Sequence, residues 1–265
     1  MDKLERQRTH FNSIAERYQL ARKGVNHLLL KDLIWADFLG PHPELKRDGL
    51  QVLEAMCGFG DGKTILEGTL GVELDYSGFD YSDEVIARVR KDKPELAIFH
   101  GDVGSIELDR QFDLILLLGG LHHVPQIADA ALRRLVAAIR PGGLFISLEP
   151  TSGNRLFSKV RDWVYSRNSL FDEQTERGFT VEEVLTMFHD AGLEEVDLVF
   201  PGLLAYVLYY NPDAFPWLNL GGPRTVRALY RVDRLFLRNR IGRALSFATL
   251  SLWRRPLESA AARER

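Results

Sequence analysis

The sequence predicts an α/β fold in which a seven-stranded, mostly parallel sheet carries helices on both of its faces. Two observations support this prediction. From Gly49 onward, short apolar runs alternate with stretches of helical periodicity, and each apolar run ends at turn residues or at a carboxylate. Such alternation is typical of strand–helix–strand units, whose strands pair in parallel. A mostly helical region, residues 1–48, precedes the first strand.

The predicted elements follow one another along the chain. Strands are predicted at residues 50–56, 74–80, 97–102, 112–118, 143–150, 194–200 and 245–255. Helices are predicted at residues 62–70, 83–91 and 126–139. A further helix begins at Thr180, where Glu183 three places on completes a capping box. The run RPGG, residues 140–143, is predicted to stop the third helix, because proline cannot continue the helical hydrogen bonding and glycine tolerates the left-handed turn.

We expect two regions in the chain. Residues 1–48 form a helical N-terminal cap, and residues 49–265 form the core. Within the core, residues 201–244 are predicted to be a helical insertion before the last strand. A chain of 265 residues is long enough to bury a substantial core in a single α/β domain.

Composition and charge are those of an ordinary globular protein. The chain is 45% hydrophobic and 27% charged with a formal net charge of −3, which does not indicate a nucleic-acid partner. The first residues are charged, and no run approaches the roughly 18 apolar residues that a membrane span needs, so we expect a cytoplasmic protein. Cys57 is the only cysteine, which excludes an internal disulfide and a cysteine-rich zinc site.

A glycine-rich turn follows the first predicted strand, in VLEAMCGFGDG at residues 52–62. Gly58, Gly60 and Gly62 stand at alternate positions, and such a turn presents bare backbone amides to a ligand at the start of a helix. A nicotinamide or flavin dinucleotide favours the spacing G-x-G-x-x-G, but Lys63 occupies the third glycine position. A nucleoside that carries a small zwitterion instead of a pyrophosphate therefore fits the turn better.

Carboxylates end the next two predicted strands. Asp80 lies 22 residues after Gly58, where it can accept hydrogen bonds from the vicinal hydroxyls of a ribose. Asp102, in HGDVGSI, can accept a hydrogen bond from an exocyclic amine. The carboxyl ends of adjacent parallel strands form the usual ligand crevice of an open sheet, although aspartate at a strand end also begins turns and caps helices.

Taken together, these motifs make the chain similar to the class I S-adenosylmethionine-dependent methyltransferases, which have a Rossmann-like fold. VLEAMCGFGDG resembles that family's first motif, YSGFDYSDEVI its acidic second-strand motif and HGDV its adenine-binding motif. FDLILLLGGLHHV resembles the fourth-strand motif, and LRRLVAAIRPGGLFISLEP the following helix and fifth strand. The resemblance covers residues 50–150 without a gap. FNSIAERY, near the start, resembles the entry helix of quinone and other small-molecule C- and O-methyltransferases.

The resemblance implies S-adenosylmethionine as the cofactor and methylation of a small apolar, aromatic or anionic acceptor as the activity. It implies that Glu54 stiffens the turn, that Asp80 binds the ribose and that Asp102 binds the adenine. Tyr18 is then an aromatic lid over the cofactor, or else a half-buried packing residue. The implied cofactor-binding residues are Tyr18, Glu54, Ala55, Met56, Gly58, Gly60, Asp80, Tyr81, Asp102, Val103, Leu118 and Gly119.

One residue departs from the family pattern. The family usually has a glycine where Met56 stands, two places before Gly58. A side chain at this position must point away from the methionine portion of the cofactor or pack beside it.

Residues 119–123, GGLHH, follow the fourth strand at the rim where acceptor and methyl donor should meet. Methyl transfer releases a neutral leaving group, so the enzyme aligns the reactants and supplies a base if the acceptor carries a proton. An imidazole can serve as a base near neutral pH, which makes His122 and His123 the candidate bases.

Glu149 could hold a substrate hydroxyl or amine, or could be a solvated strand end. No third ligand accompanies the histidines, so no metal is predicted.

Arginines recur at spacings of three and four in residues 224–243 of the insertion. Arg224, Arg227, Arg231, Arg234 and Arg238 are predicted to line one helical face, with apolar residues on the others. Such a face can be solvated, can bind an anionic acceptor or a membrane surface, or can form a subunit contact in a homo-oligomer. Residues 201–220 are rich in aromatics and suit either the wall of an acceptor pocket or a dimer interface.

Two alternative functions remain open from the sequence. The first is a member of this family that binds the cofactor without transferring a methyl group, which the departure at Met56 supports. The second is an NAD(P)-linked oxidoreductase of Rossmann topology, which Lys63 and the Asp102 motif disfavour.

Overall fold

The structure is a computed structural model, and it describes residues 22–153, 159, 178–212 and 216–257. Tyr18 and the other residues of the predicted N-terminal cap before residue 22 lie outside the described residues. The strands are β1 (Leu50–Ala55), β2 (Leu74–Asp80), β3 (Ala97–His100), β4 (Phe112–Leu118), β5 (Ile139–Ser152), β6 (Phe179–Thr180), β7 (Glu194–Val199) and β8 (Ala248–Arg254). The helices are α1 (Val25–Leu39), α2 (Asp61–Leu70), α3 (Asp83–Asp92), α4 (Ala128–Ala137), α5 (Val181–Asp190), α6 (Leu204–Tyr209), α7 (Pro223–Asp233) and α8 (Arg240–Leu245).

The predicted α/β fold is confirmed. Seven strands form one continuous sheet in the order β3-β2-β1-β4-β5-β8-β7, and the two-residue strand β6 pairs with β5 beside this path. Strands β1 to β5 pair in parallel, whereas β8 runs antiparallel to both β5 and β7. Helices α6, α7 and α8 occupy the predicted insertion between β7 and β8. Because β1 lies between β2 and β4, the chain reverses its winding direction at β1, where open sheets form their ligand crevice.

Apolar side chains cover both faces of the sheet. In β1, Val52 belongs to a core cluster shared with α1, α2, α3, α6 and α7, whereas its neighbour Leu53 belongs to a cluster shared with α4 and α5. On the second face, Phe188 of α5 stacks on Trp253 of β8 with ring centroids 4.9 Å apart. Strands buried on both faces read as continuous apolar runs, which is why periodicity located them.

The start of α5 is as predicted. Thr180 Oγ1 accepts a hydrogen bond from the Glu183 N–H at 3.1 Å, and Glu183 Oε2 accepts one from the Thr180 N–H at 2.7 Å. This reciprocal capping box satisfies two of the backbone donors that a helix start leaves without intrahelical partners.

The predicted boundary between the third helix and the fifth strand was wrong. Helix α4 ends at Ala137, and Ile139 already pairs with Phe112 as the first residue of β5. The register shifts before Leu144, and Gly142 adopts a left-handed φ of 80° within this irregularity. Proline and glycine therefore form a bulge near the start of the strand, a position that such residues also favour, instead of a separate connecting turn.

Two predictions for the insertion also need correction. Helix α7 ends at Asp233, so Arg234 and Arg238 lie in the turns that follow it and the arginines do not share one helical face. The last strand begins at Ala248 and not at residue 245. The reason is that the Asn239 side chain accepts hydrogen bonds from the N–H groups of Ile241 and Gly242, which starts the short helix α8 in the intervening residues.

Within the described part of the chain, no helix has both the length and the apolar character that crossing a membrane requires.

Candidate functional site

The turn after β1 contains left-handed backbone at three alternate residues. Met56, Gly58 and Gly60 have φ values of 52°, 50° and 69°. A side chain at Gly58 would be strained by this conformation, although a Cβ there would meet no protein atom within 4 Å. The outer side of the turn at Gly58 is therefore open space into which a ligand can approach the backbone.

Residue 62 has to be a glycine for a different reason, which is the lack of space for a side chain. A Cβ at this position would lie 2.2 Å from Leu116 Cδ2 and 2.4 Å from Glu54 Oε2. The first turn of α2 thus packs directly against the side chains of β1 and β4. The alternating glycines combine a left-handed, ligand-accessible turn with close packing of the helix on the sheet.

Glu54 lies beneath this turn with 2% of its surface exposed. Its Oε2 accepts hydrogen bonds from the Gly62 N–H at 3.0 Å and from the Tyr76 hydroxyl. Burial raises the pKa of the Glu54 carboxyl to about 8, although both hydrogen bonds act to lower it. The carboxyl group therefore anchors the start of α2 to the sheet.

The raised pKa of Glu54 predicts a pH dependence of stability. The folded state binds the proton more tightly than the unfolded state, so this contribution is complete below about pH 4.5 and is lost as the pH rises towards 8. Glu54→Gln keeps an uncharged oxygen acceptor but cannot ionise. We expect the free energy of unfolding of the wild type to fall by on the order of 3 kcal/mol relative to Glu54→Gln between pH 5 and pH 9. Urea titrations of both proteins across this range measure the difference, and parallel pH profiles would contradict it.

Met56 is the only described non-glycine residue with positive φ. Its side chain is half-buried and packs beside Gly120, since a Cβ on that glycine would lie 2.8 Å from Met56 Sδ. The Met56 side chain therefore lies between the glycine turn and the loop after β4.

Two substitutions separate the backbone strain at Met56 from its packing. Met56→Gly and Met56→Ala both remove the side-chain contacts, but only glycine adopts left-handed φ without a steric cost. We expect Met56→Gly to be about 1 kcal/mol more stable than Met56→Ala in urea unfolding. An alanine variant as stable as the glycine variant would show that the turn is not strained at this residue.

Asp80, at the end of β2, joins the glycine turn to the neighbouring strand. Its Oδ2 accepts a hydrogen bond from the Gly58 N–H at 2.9 Å, and its Oδ1 accepts one from the Ser82 N–H at 3.0 Å. Burial raises the pKa of the Asp80 carboxyl, against the effects of these hydrogen bonds and of the nearby His123. The Tyr81 backbone also donates to this carboxyl. Since a carboxylate has about four acceptor positions, Asp80 can still accept a hydrogen bond from a ligand hydroxyl.

Asp102 lies two residues beyond the end of β3. The sheet register pairs Asp80 with His100, and the Gly101 N–H donates to the Asp80 carbonyl at 3.0 Å, which brings the two predicted aspartates to adjacent strand ends. Asp102 Oδ1 accepts a hydrogen bond from the Gly104 N–H at 2.8 Å. The next residue, Val103, is buried in the core, so its backbone and not its side chain is available to a ligand.

The loop after β4 turns back onto β5 at Glu149. Glu149 is fully buried, so the alternative of a solvated strand end was wrong. Its Oε1 accepts hydrogen bonds from the N–H groups of Gly120 at 3.0 Å and Leu121 at 2.9 Å. Its Oε2 lies 3.0 Å from His122 Nδ1. Because a carboxylate accepts hydrogen bonds, this contact places a proton on Nδ1 and leaves Nε2 of a neutral His122 as an acceptor.

His123 lies beside His122, with ring centroids 3.9 Å apart. The two imidazoles differ in their surroundings, because His122 contacts the buried Glu149 carboxylate whereas His123 interacts electrostatically with Asp80. The structure thus distinguishes two histidines that the sequence could not rank. Within the described residues, no group of three or more His, Cys, Asp or Glu side chains is arranged to hold a metal.

Tyr76 is a residue of this site that the sequence analysis missed. It is a mostly buried residue of β2, and its hydroxyl donates to Glu54. A tyrosine in a buried strand needs a polar partner for its hydroxyl, which was the available signal. The partner could not be named, because it depends on the parallel register that pairs Val52 of β1 with Tyr76.

Comparisons with known proteins find related sequences for the part of the chain that contains this site. A family model described as a methyltransferase domain matches residues 52–143. A probable S-adenosylmethionine-dependent methyltransferase of Mycolicibacterium smegmatis is 33% identical over 159 residues, which are 56% of this chain and 59% of that protein. A demethylmenaquinone methyltransferase of Bacillus cytotoxicus is 27% identical over 175 residues, or 57% of this chain and 73% of that protein. The match therefore spans about three fifths of the length of the first relative.

A solved structure shares the fold over nearly the whole chain. Magnesium protoporphyrin IX methyltransferase from Synechocystis, determined with bound SAH, superposes with a TM-score of 0.59 at 14% sequence identity. The superposition covers 96% of this chain and all of that one.

Proposed function

We propose that the chain is a class I S-adenosylmethionine-dependent methyltransferase that uses S-adenosylmethionine as its cofactor and methylates a small-molecule acceptor. The match to a methyltransferase domain and the similarity to an S-adenosylmethionine-dependent relative support this proposal. The observation that carries the proposal is the arrangement around the carboxyl ends of four neighbouring strands. The glycine turn follows β1, Asp80 ends β2, and His122 follows β4 with its imidazole held by Glu149 of β5. We refer to the glycine turn and Asp80 together as the cofactor cradle. The cradle and the candidate base thus lie at the same edge of the sheet.

The described residues fit the adenosyl and methionine parts of this cofactor. The backbone at Gly58 is free of side-chain obstruction, and Asp80 keeps acceptor capacity for the ribose hydroxyls. Asp102 is suited to the adenine amine through Oδ2, since Oδ1 is engaged by Gly104. Backbone at Leu118 and Gly119 is suited to the methionine amine. We assign Glu54 the role of holding the turn and not of contacting the ligand, because it is buried beneath α2.

We assign His122 the role of general base. When bound, S-adenosylmethionine supplies a sulfonium-activated methyl group, so the protein has to orient the acceptor and remove its proton. Glu149 fixes the ring and tautomer of His122, which presents Nε2 as the proton acceptor. The Glu149 carboxyl oxygen, 3.0 Å from Nδ1, lies where it can stabilise the positive charge that develops on the ring when His122 takes the proton. This arrangement suits an acceptor with a protic nucleophile, such as a phenol or a quinol.

We assign His123 a structural role, because the contact with the buried Glu149 carboxylate is made by His122. The ring centroid of His123 lies 3.9 Å from that of His122, with the ring planes tilted by 38°, and His123 interacts electrostatically with the buried Asp80. The two rings thus connect the proposed base with the proposed ribose-binding residue.

A panel assay tests the proposed activity. The full chain is incubated with methyl-labelled S-adenosylmethionine and with phenols, quinols, isoprenoid phosphates and amines, and label is extracted with the acceptor. We expect transfer to at least one protic aromatic acceptor. Binding of S-adenosylhomocysteine without label transfer to any of these classes would favour the alternative of a family member that only binds the cofactor.

A further inference from the structure

One segment of the insertion has a charge opposite to that of the whole chain. Residues 216–245 contain seven arginines and a single acidic residue, Asp233, whereas the chain has a net charge of −3. Asp233 is buried and accepts hydrogen bonds from the backbone N–H groups of Leu204 and Ala205. We refer to residues 216–245 as the basic segment. Its outer surface carries arginine without acidic residues of its own.

Helix α7 places three of these seven arginines on its outward face. Val226, Tyr230 and Asp233 are the buried residues of the helix, and the Tyr230 hydroxyl donates to the Leu33 carbonyl and to Asp37. The opposite face is exposed and carries Arg224, Arg227 and Arg231. One side of α7 is thus anchored on α1, and the other side presents cations to the solvent.

Only part of the basic segment is used for internal ion pairs. Arg234 pairs with Asp37 at 2.7 Å, Arg238 pairs with Asp197, and Arg243 pairs with Glu182 at 2.9 Å. These pairs hold the segment against the body of the protein. Arg224, Arg227, Arg231 and Arg240 make no salt bridge to any other residue that the structure describes. Their charges are therefore available to an external anion.

Large apolar side chains are exposed along the same segment. Trp217, Leu220 and Leu235 are each 70% exposed, and Ile241 is 54% exposed. The backbone that carries the first two is held in place, since the Tyr209 hydroxyl donates to the Leu220 carbonyl at 2.9 Å and the Asn26 amide donates to Asn219 at 2.9 Å. A segment in which exposed arginines alternate with exposed tryptophan and leucine is unusual for a part of the surface that meets only water.

We propose that the basic segment docks the protein peripherally on an anionic phospholipid membrane. Arginine side chains pair with lipid phosphates, and the exposed tryptophan and aliphatic side chains insert between headgroups. Nucleic acid would satisfy the arginines but leave the aliphatic side chains without a role. A second copy of the same face would bring uncompensated arginines together. The observed combination therefore favours lipid, and it does so independently of the proposed methyl transfer.

Vesicle sedimentation of the full chain tests this proposal. Vesicles of phosphatidylcholine alone are compared with vesicles that also contain phosphatidylglycerol, at low and at high salt. We expect binding only to the anionic vesicles, with at least tenfold weaker partitioning at high salt because the interaction is electrostatic. The absence of binding to anionic vesicles at low salt would overturn the proposal.

Matched variants locate the contact. The triple variant Arg224→Gln, Arg227→Gln, Arg231→Gln should lower partitioning at least tenfold. The control Lys46→Gln, Lys91→Gln, Arg133→Gln also removes three exposed positive charges, but from other elements, and should bind as the wild type does. The double variant Trp217→Ala, Leu220→Ala should weaken the residual vesicle binding that remains at high salt. Equal effects of the two triple variants would overturn the proposal.

Two further outcomes would also overturn it. One is binding of the wild type to an oligonucleotide but not to anionic vesicles. The other is a concentration-dependent dimer that the α7 triple variant abolishes, with no change in vesicle binding. Circular dichroism and S-adenosylhomocysteine affinity of every variant establish that the variants are folded.

Discussion

Replacement of His122 by asparagine is expected to lower kcat by about 100-fold to 10,000-fold, the range typical for loss of a general base. Asparagine is the informative substitution, because its amide N–H can replace His122 Nδ1 as the donor to Glu149. The loop after β4 then keeps its anchor while the basic Nε2 is lost. Initial rates with the acceptor found in the panel assay, together with calorimetric titration of S-adenosylhomocysteine, measure the effect. We expect the affinity for S-adenosylhomocysteine to change by less than about threefold.

His123→Asn is the matched control for this prediction. It changes the same kind of side chain at the neighbouring position, and we expect kcat to remain within about tenfold of the wild type. Glu149→Gln adds a second readout, since its amide N–H would face His122 Nδ1 and favour the tautomer with the proton on Nε2. A larger loss of kcat in His123→Asn than in His122→Asn would reverse our assignment of the base.

Replacement of Asp80 by alanine is expected to raise the Kd for S-adenosylhomocysteine by about 100-fold or more. The buried carboxylate holds the glycine turn through Gly58, and in the proposed site it also binds the ribose, so we expect alanine to remove both contributions. Hydrogen bonds to a charged group contribute about 1.5 to 3 kcal/mol each, and 1.4 kcal/mol corresponds to a tenfold change in Kd. Isothermal calorimetry of the folded variant measures the loss.

Asp75→Ala is the control for this substitution. Asp75 belongs to the same strand but is half-exposed and pairs only at 3.9 Å with Arg110, so its removal should leave the affinity unchanged. Unchanged S-adenosylhomocysteine affinity in Asp80→Ala would remove this residue from the cofactor site. Equal losses in both variants would indicate that the strand, and not the carboxylate, is responsible.

The glycine turn and the strand-end position of Asp80 could be predicted from the sequence, because the signals for both are local. Left-handed backbone at Gly58, and a helix that packs at Gly62 without room for a side chain, leave glycine as the suitable residue. Asp80 is the last residue of β2, whose final five residues are all buried, and a carboxylate just before a turn marks the end of such a strand in the sequence.

The environment of Glu149 could not be read in the same way. Its burial depends on the loop after β4, which bends back through a left-handed Gly119 and directs the N–H groups of Gly120 and Leu121 at the carboxylate. Contacts of this kind join two elements that are about 30 residues apart in the chain, and no local spacing encodes them.

The arginines of the insertion show a different limit of prediction from sequence. Their spacing of three and four continues past the end of α7, so periodicity alone favours one long helix. The helix nevertheless ends at Asp233, whose carboxylate is held by Leu204 and Ala205 of another element, and Arg234 and Arg238 turn to Asp37 and Asp197. Tertiary contacts thus override the local pattern.

Calorimetric titration of the wild-type protein with S-adenosylhomocysteine and, separately, with NAD tests most directly whether the cradle holds an adenosyl nucleoside. We predict saturable one-site binding of S-adenosylhomocysteine and no measurable heat with NAD, since Lys63 interrupts the glycine spacing that a pyrophosphate requires. Saturable binding of NAD with none of S-adenosylhomocysteine would contradict the account.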